Sequence, residues 1–139
     1  MKILICNYFQ IEYIKPEVPY LVYSITDKNS KHPKIPKTKY RKQLVKLKFH
    51  DIDNDLPQHG LYIITEKDAE KIINTLMEYK NKVKLIICQC DGGISRSAGV
   101  AVAISRILGL GDNWIYNQYI PNNKVVSTIM RVYEKMFDK

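Results

Sequence analysis

Residues 86–104 read IICQCDGGISRSAGVAVAI, and the fold follows from how they are parsed. Residues 83–88, VKLIIC, end in the apolar run Leu85 to Cys88 with no polar alternation, which predicts a strand buried on both faces. Gln89 and Cys90 end it. A loop of Asp91, Gly92, Gly93, Ile94 and Ser95 follows, then Arg96 and Ser97. From Ser97 to Leu108, small apolar residues dominate a predicted helix, and Gly109 supplies a stop. A cysteine therefore closes a strand, an arginine stands six positions on, and a helix starts directly behind it.

That order of elements has a chemical consequence. Backbone N–H groups of the loop can turn inward as an anion nest, with the free N–H groups of the helix end at its base. Gly92 and Gly93 allow backbone conformations closed to other residues and let a ligand approach closely. Arg96 adds a planar fork that can hold two phosphate oxygens. Cys90 is expected at the floor of this cradle. The N–H groups, the helix dipole and Arg96 all favour a thiolate, so its pKa is expected well below about 8.5. A thiolate beneath a bound phosphate is placed for attack on phosphorus. Ser97 can donate a hydrogen bond to that thiolate and help it leave again.

The pattern Cys-x5-Arg-Ser between a strand and a helix resembles the signature of the cysteine-dependent protein tyrosine phosphatases. GISRSAGVAVA is most similar to the dual-specificity branch and its small prokaryotic or viral relatives. The resemblance is strong over residues 83–108, looser over 43–76 and slight elsewhere. It implies a two-step phosphomonoester hydrolysis through a phosphocysteine on Cys90. Arg96 and the loop, Asp91, Gly92, Gly93, Ile94 and Ser95, would bind the phosphate. No metal or other cofactor is implied. The resemblance also implies an aspartic acid, some thirty to forty residues upstream, that protonates the leaving oxygen. KFHDIDND places Asp51, Asp53 and Asp55 in that window. Asp51 follows its strand most directly and is favoured; Asp53 is the alternative.

The chain departs from the family pattern at two positions. Gln89 stands where a histidine usually precedes the cysteine. Glutamine can donate hydrogen bonds to hold the loop but cannot be cationic, so a less depressed Cys90 pKa is expected. Asp91 puts an acid within the loop, where side chains are expected to line the rim and to disfavour phosphoinositides. Cys88 shares a strand face with Cys90. It reads as a resolving thiol or, better, as a buried core cysteine.

The rest of the chain supplies a scaffold. Residues 2–6, 20–26 and 43–49 read as strands. Residues 27–39 form a proline-broken loop. Thr65 with Asp68 reads as a helix start, with Ala69, Ile72, Ile73, Leu76 and Met77 on one face. Residues 123–137 show the same spacing through Val126, Ile129, Met130, Tyr133 and Phe137. Strands alternating with one-sided helices predict an α/β domain with a mostly parallel central sheet flanked by helices. Sites in such sheets lie beyond the C-terminal strand ends. Residues 113–123, NWIYNQYIPNN, read as a structural connection.

With 139 residues, 45% hydrophobic and 26% charged, the expectation is one globular domain over 1–139. A short apolar N-terminus broken at Asn7, and the absence of any long apolar run, predict a cytoplasmic protein with no membrane span. Three cysteines do not form a secreted disulfide framework. No histidine pair accompanies them at zinc spacing. The net charge of +8 draws much of its excess from the acid-free stretch from Lys31 to Lys48. Such a basic face attracts polyanions. The expected partner is a phosphorylated protein or peptide, phosphotyrosine first. Nucleic acid is possible through the basic stretch but not favoured. An RNA 5′-phosphatase, a phosphoinositide phosphatase and a phosphate-binding module without turnover are the alternatives.

Overall fold

The computed structural model describes residues 1–52 and 61–137. Among them, four strands form one sheet: β1 (Lys2–Cys6), β2 (Tyr20–Thr26), β3 (Arg41–Lys48) and β4 (Leu85–Gln89). Their order is β1-β4-β2-β3 and every pairing is parallel. Parallel neighbours need crossovers, so all four C-terminal ends meet on one rim. The four helices are α1 (Glu66–Tyr79), α2 (Arg96–Ile107), α3 (Asn113–Gln118) and α4 (Asn123–Phe137). The structure has the expected architecture, a single small α/β domain with a parallel sheet.

Alternation along β2 separates the two faces. Leu21, Tyr23 and Ile25 join the large core beneath α1, α2 and α4. Tyr20 and Val22 face the other way, against Ile11, Ile14, Ile35 and Tyr40. No helix of four turns covers that second face among the described residues. A 3-10 turn at Ile11–Tyr13 and the irregular segment 27–40 do so instead.

Local chemistry fixes the helix ends. The Thr65 hydroxyl accepts from the Asp68 N–H at 3.1 Å, and Asp68 accepts from the Thr65 N–H at 3.0 Å. This reciprocal capping box contributes about 1 kcal/mol. Ala69, Ile72, Ile73 and Leu76 are buried as expected. Tyr23 donates its hydroxyl proton to the Ile72 carbonyl at 2.8 Å, tying β2 to α1. α2 is buried on all sides from Arg96 to Ser105, because it lies between the sheet and α4. Its small residues permit that contact. A methyl group on Gly99 would stand 2.9 Å from the Asn122 carbonyl oxygen and from Val125 Cβ.

Three sequence expectations shift. α3 occupies part of a stretch read as a connection. Its Ile115 is fully buried. Phe137 is half exposed and rests on Tyr133 at 5.0 Å between ring centroids rather than in the core. The third strand starts two residues early, at Arg41, because Tyr20 pairs with it across a register shift.

Candidate functional site

The rim formed by the strand ends carries the cleft. β4 ends at Gln89, and Cys90 continues the pairing by donating its N–H to the Cys6 carbonyl at 3.3 Å. The chain then turns through the loop and enters α2 at Arg96. Gly93 makes the turn possible. Its φ is +66°, and an added Cβ would lie 2.7 Å from Asn7 N and from Cys6 C. Gly92 has no such constraint, since nothing lies within 4 Å of its added Cβ. The loop is thus pressed against the start of the segment following β1, and Tyr8 N–H donates to the Asp91 carbonyl at 3.2 Å.

Cys90 is buried, and its sulfur has two neighbours able to donate. Ser97 Oγ lies 3.0 Å away and the Gly93 N–H donates at 3.2 Å. The cleft above it encloses about 370 Å³ and is lined by Asp51, Cys90, Gly92, Ile94, Ser95, Arg96 and Ile120. Six of these residues come from two separate places in the sequence expectation, Asp51 and the loop over 90–96; Ile120 was not anticipated. It is 75% exposed, Ile94 is 51% exposed, and the Ile120 N–H donates to the Ile94 carbonyl at 3.2 Å. The mouth of the cleft therefore has an apolar lip.

Arg96 is buried and held from behind. Nη1 donates to Asp27 Oδ1 and to the Phe49 carbonyl, both at 2.8 Å. Nη2 lies 3.4 Å from Asp91 Oδ2. Asp91 itself accepts from Thr26 Oγ1 at 2.9 and 3.1 Å. Its carboxylate is engaged with β2 and Arg96 and does not line the cleft, unlike the rim position expected for it. Asp27 is the residue that sequence reading missed here. It stands directly after β2, a strand-end position that could have flagged it.

Asp51 sits opposite the loop. Its Oδ1 accepts from Ser95 Oγ and from Asn122 Nδ2, both at 2.7 Å. Asn122 is the junction residue. Its Oδ1 caps α4 by accepting from the Val125 N–H at 3.0 Å. Its own N–H donates to the Ser95 carbonyl at 3.0 Å, and Nδ2 also reaches the Ile52 carbonyl at 3.2 Å. One buried amide thus joins the loop, the Asp51 segment and the last helix. Sequence reading took the stretch that contains it as structural and did not single it out. Asp53, Asp55 and His59 lie outside the described residues. His50 packs outward, stacked on Tyr62 with its Nδ1 accepting from the Tyr62 N–H at 2.9 Å.

Gln89 faces away from the cleft, and its Oε1 accepts from the Ser24 hydroxyl. Ser24 in turn meets His32 Nδ1 at 2.9 Å. Gln89 Nε2 and His32 Nε2 are buried and without a hydrogen-bond partner among the described residues. Burial, helped by Lys46 and Lys48, lowers the His32 pKa to about 4. Burial also pushes the Cys6 thiol up to about 12 and raises Cys88 further. Both are therefore poor nucleophiles, which favours the core-packing role of Cys88. Trp114 packs on the core and Tyr116 accepts from Arg106 Nη2 at 3.3 Å; neither lines the cleft. Among the described residues no cluster of His, Cys, Asp and Glu could hold a metal ion.

No family model matches the sequence, and no curated protein does. Solved structures do match by shape. Human DUSP28 aligns with a TM-score of 0.57 at 12% identity, over 96% of this chain and 92% of that one. Tk-PTP in its active form gives 0.53 at 13% identity, over 97% and 93%. PTPMT1 in complex with PI(5)P gives 0.53 at 11% identity, over 86% and 80%. The chain has the fold of the dual-specificity and tyrosine phosphatases.

Proposed function

We propose that the chain is a phosphomonoester hydrolase that works through a phosphocysteine on Cys90. The observation that carries this is the convergence on one cleft of about 370 Å³ of Cys90, Arg96 and Asp51. The phosphatase fold makes a phosphorylated substrate the coherent ligand. In the first step the Cys90 thiolate attacks phosphorus. The S–P bond forms as the ester P–O bond breaks, and Asp51 gives its proton to the leaving oxygen. Arg96 and the loop N–H groups of residues 91–96 hold the equatorial oxygens as charge spreads over them. In the second step Asp51 takes a proton from water, the water oxygen attacks phosphorus, and the S–P bond breaks. Ser97 donates to the returning thiolate. The products are the alcohol or phenol and inorganic phosphate.

A phosphorylated protein side chain is the favoured substrate, phosphotyrosine first. The apolar lip of Ile94 and Ile120 supports this, because a phenyl ring beside the bound phosphate would bury it. The backing of Arg96 by two carboxylates supports a monoester over a polyphosphorylated headgroup.

The test is hydrolysis of an aryl phosphate by the wild type and three variants. Cys90→Ser is expected to abolish turnover, and Arg96→Lys to lower it by about 10² or more, since an ammonium cannot replace the bidentate fork. Asp51→Asn is expected to slow alkyl phosphates more than aryl ones, whose leaving groups need less protonation. Turnover that survives Cys90→Ser refutes the mechanism. Comparison of phosphotyrosyl and phosphoseryl peptides with phosphoinositides and 5′-phosphorylated RNA then ranks substrates.

A further inference from the structure

The second face of the sheet carries a feature that the cleft chemistry does not use. Residues 28–48 contain nine Lys and Arg and no Asp or Glu. The lysines on β3 have a simple role, since β3 is an edge strand and charge there blocks pairing with another chain. The segment before β3 is different. Lys28, Lys31, Lys34 and Lys37 recur every third residue, and all four are exposed. Pro33 between them is buried, while His32, Ile35 and Pro36 are half-buried against the sheet. Residues 31–38 have neither helix nor strand structure. Pro33 and Pro36 fix their own φ and bias His32 and Ile35 to extended backbone. Over residues 31–38 the repeat presents Lys31, Lys34 and Lys37 as one row, with about 9 Å between lysines at a rise of about 3.1 Å per residue; Lys28 precedes the row, in a turn closed by the Ser30 N–H donating to the Asp27 carbonyl at 3.0 Å.

Contacts fix the direction of the row. Asp27, at its start, touches Arg96 in the cleft. His32 lies beside Ser24, near the end of β2, and Thr38 meets the Tyr20 hydroxyl at the start of β2 at 3.1 Å. The row therefore leaves the cleft rim and descends the sheet face. No carboxylate among the described residues pairs with any of the four lysines. At its lower end Lys34 and Lys37 meet Lys15 around a hollow of about 440 Å³, floored by Ile35 and Pro36. Glu12 is the one acid there among the described residues. Next to Glu12, Tyr13 is 80% exposed, and Phe9 beside the loop is 76% exposed. Two exposed aromatic rings, of which Phe9 meets Tyr8 edge-on at 5.3 Å between centroids, accompany a cationic row without a carboxylate partner, while Lys28 rests over the Tyr62 ring at 5.4 Å.

We propose that this face binds single-stranded nucleic acid, with phosphates along Lys31, Lys34 and Lys37 and bases stacked on Tyr13 and Phe9. A linear row matches a linear polyanion, and exposed aromatic rings give base stacking worth about 1–3 kcal/mol each. An anionic bilayer would engage the lysines and take up the rings by insertion, so vesicles are the competing arm of the test, whereas an acidic peptide has no bases to stack. Binding does not depend on turnover at Cys90.

The test is fluorescence anisotropy with oligouridylate and oligothymidylate, read against salt, for the wild type, Lys31→Gln/Lys34→Gln/Lys37→Gln and Tyr13→Ala. None of these residues belongs to the cleft, so aryl phosphate hydrolysis by each variant serves as the check on folding. The triple variant is expected to lose at least tenfold in affinity at low salt. Its log–log salt slope should shrink by about 2, from a single-strand contribution of about 0.7 per phosphate contact. Tyr13→Ala should lose fivefold or more with the slope unchanged. The proposal is overturned if the triple variant keeps wild-type affinity and slope. It is also overturned if duplex DNA binds as well as single strands and Tyr13→Ala has no effect. Vesicles of anionic lipid or a polyglutamate peptide binding while both oligonucleotides fail would overturn it too.

Discussion

Three glycines of this chain separate two physical costs that are usually entangled. Gly93 has φ +66°, and its added Cβ would lie 2.7 Å from two backbone atoms and 2.9 Å from a third, all in Cys6 and Asn7. Gly109 has φ +71° with open space around it. Gly92 has open space and no positive φ. Alanine at Gly92 should leave stability within about 0.5 kcal/mol of wild type, as for other unconstrained surface changes. Alanine at Gly109 should cost only the left-handed conformation, about 1–2 kcal/mol. Alanine at Gly93 adds a collision with backbone that cannot swing aside, about 1–3 kcal/mol more. The expected total for Gly93→Ala is about 2–5 kcal/mol.

Urea unfolding of the three variants reads these values from the midpoints, provided the slope m is constant across the series. Activity gives a second axis. Relief of the Gly93 collision must move the loop off the end of β1, and with it the N–H that donates to Cys90 Sγ at 3.2 Å. Gly93→Ala should therefore lose tenfold or more in kcat/KM on an aryl phosphate, while Gly109→Ala keeps wild-type turnover. If Gly93→Ala costs no more than Gly109→Ala, the close approach to Cys6 and Asn7 is not what holds the loop. If it costs no more than Gly92→Ala, the positional argument fails altogether.

Other substitutions address the supports of the site. Asn122→Ala removes the α4 cap, worth about 1 kcal/mol, and frees Asp51. It should lower kcat for alkyl phosphates more than for aryl phosphates, a split that a purely structural role would not produce. Asp27→Asn keeps the shape behind Arg96 but removes a charge. It should tighten competitive inhibition by inorganic phosphate a few-fold, and unchanged inhibition would show that Asp27 does not balance Arg96. His32 provides a pH signature. Its folded pKa of about 4 lies below the ordinary value of 6.5, so the unfolded chain binds the proton more readily between them. Stability should be independent of His32 above pH 6.5 and fall as pH drops from about 6.5 toward 4. His32→Gln should flatten that window in urea midpoints measured against pH.

The parts legible in the sequence are those set by local pattern. The unbroken run before Cys90 gave a central strand because β4 lies between β1 and β2 and is covered on both faces. Thr65 and Asp68 formed the capping box that their spacing implies. The cleft was legible where one loop writes it, from Cys90 to Ser97. Ile120, Asn122 and Asp27 were not, because their part arises from convergence of segments distant in the chain, across more than sixty residues for Arg96 with Asp27 and for Asn122 with Asp51. Asp91 was misjudged for a related reason. Its loop position suggests solvent, yet Thr26 at the end of β2 offers a hydroxyl within 2.9 Å, and the carboxylate turns inward to it. α3 is six residues long, too short for periodicity to stand out from the aromatics around it.

The electrostatics of the site assign Arg96 a role other than supplying net positive charge. Its guanidinium is 2.8 Å from Asp27 and 3.4 Å from Asp91. Counting these three ionised groups, the neighbourhood of the fork carries no excess positive charge before a phosphate arrives. Attraction for a dianion must then come from elsewhere. The loop N–H groups and the first turn of α2 supply fixed partial charges directed at the cleft. The chain's net +8 supplies a weaker field that acts at longer range and is screened by salt. What the two carboxylates and the Phe49 carbonyl give Arg96 is orientation. A buried guanidinium anchored through Nη1 and Nη2 keeps its plane fixed, so in the proposed function its remaining donors would meet phosphate oxygens without the reorganisation that a free side chain would require. Gln89 fits the same scheme. Bound to Ser24, its partner on neighbouring β2, it ties the two strands together with a neutral side chain and adds no charge to the site.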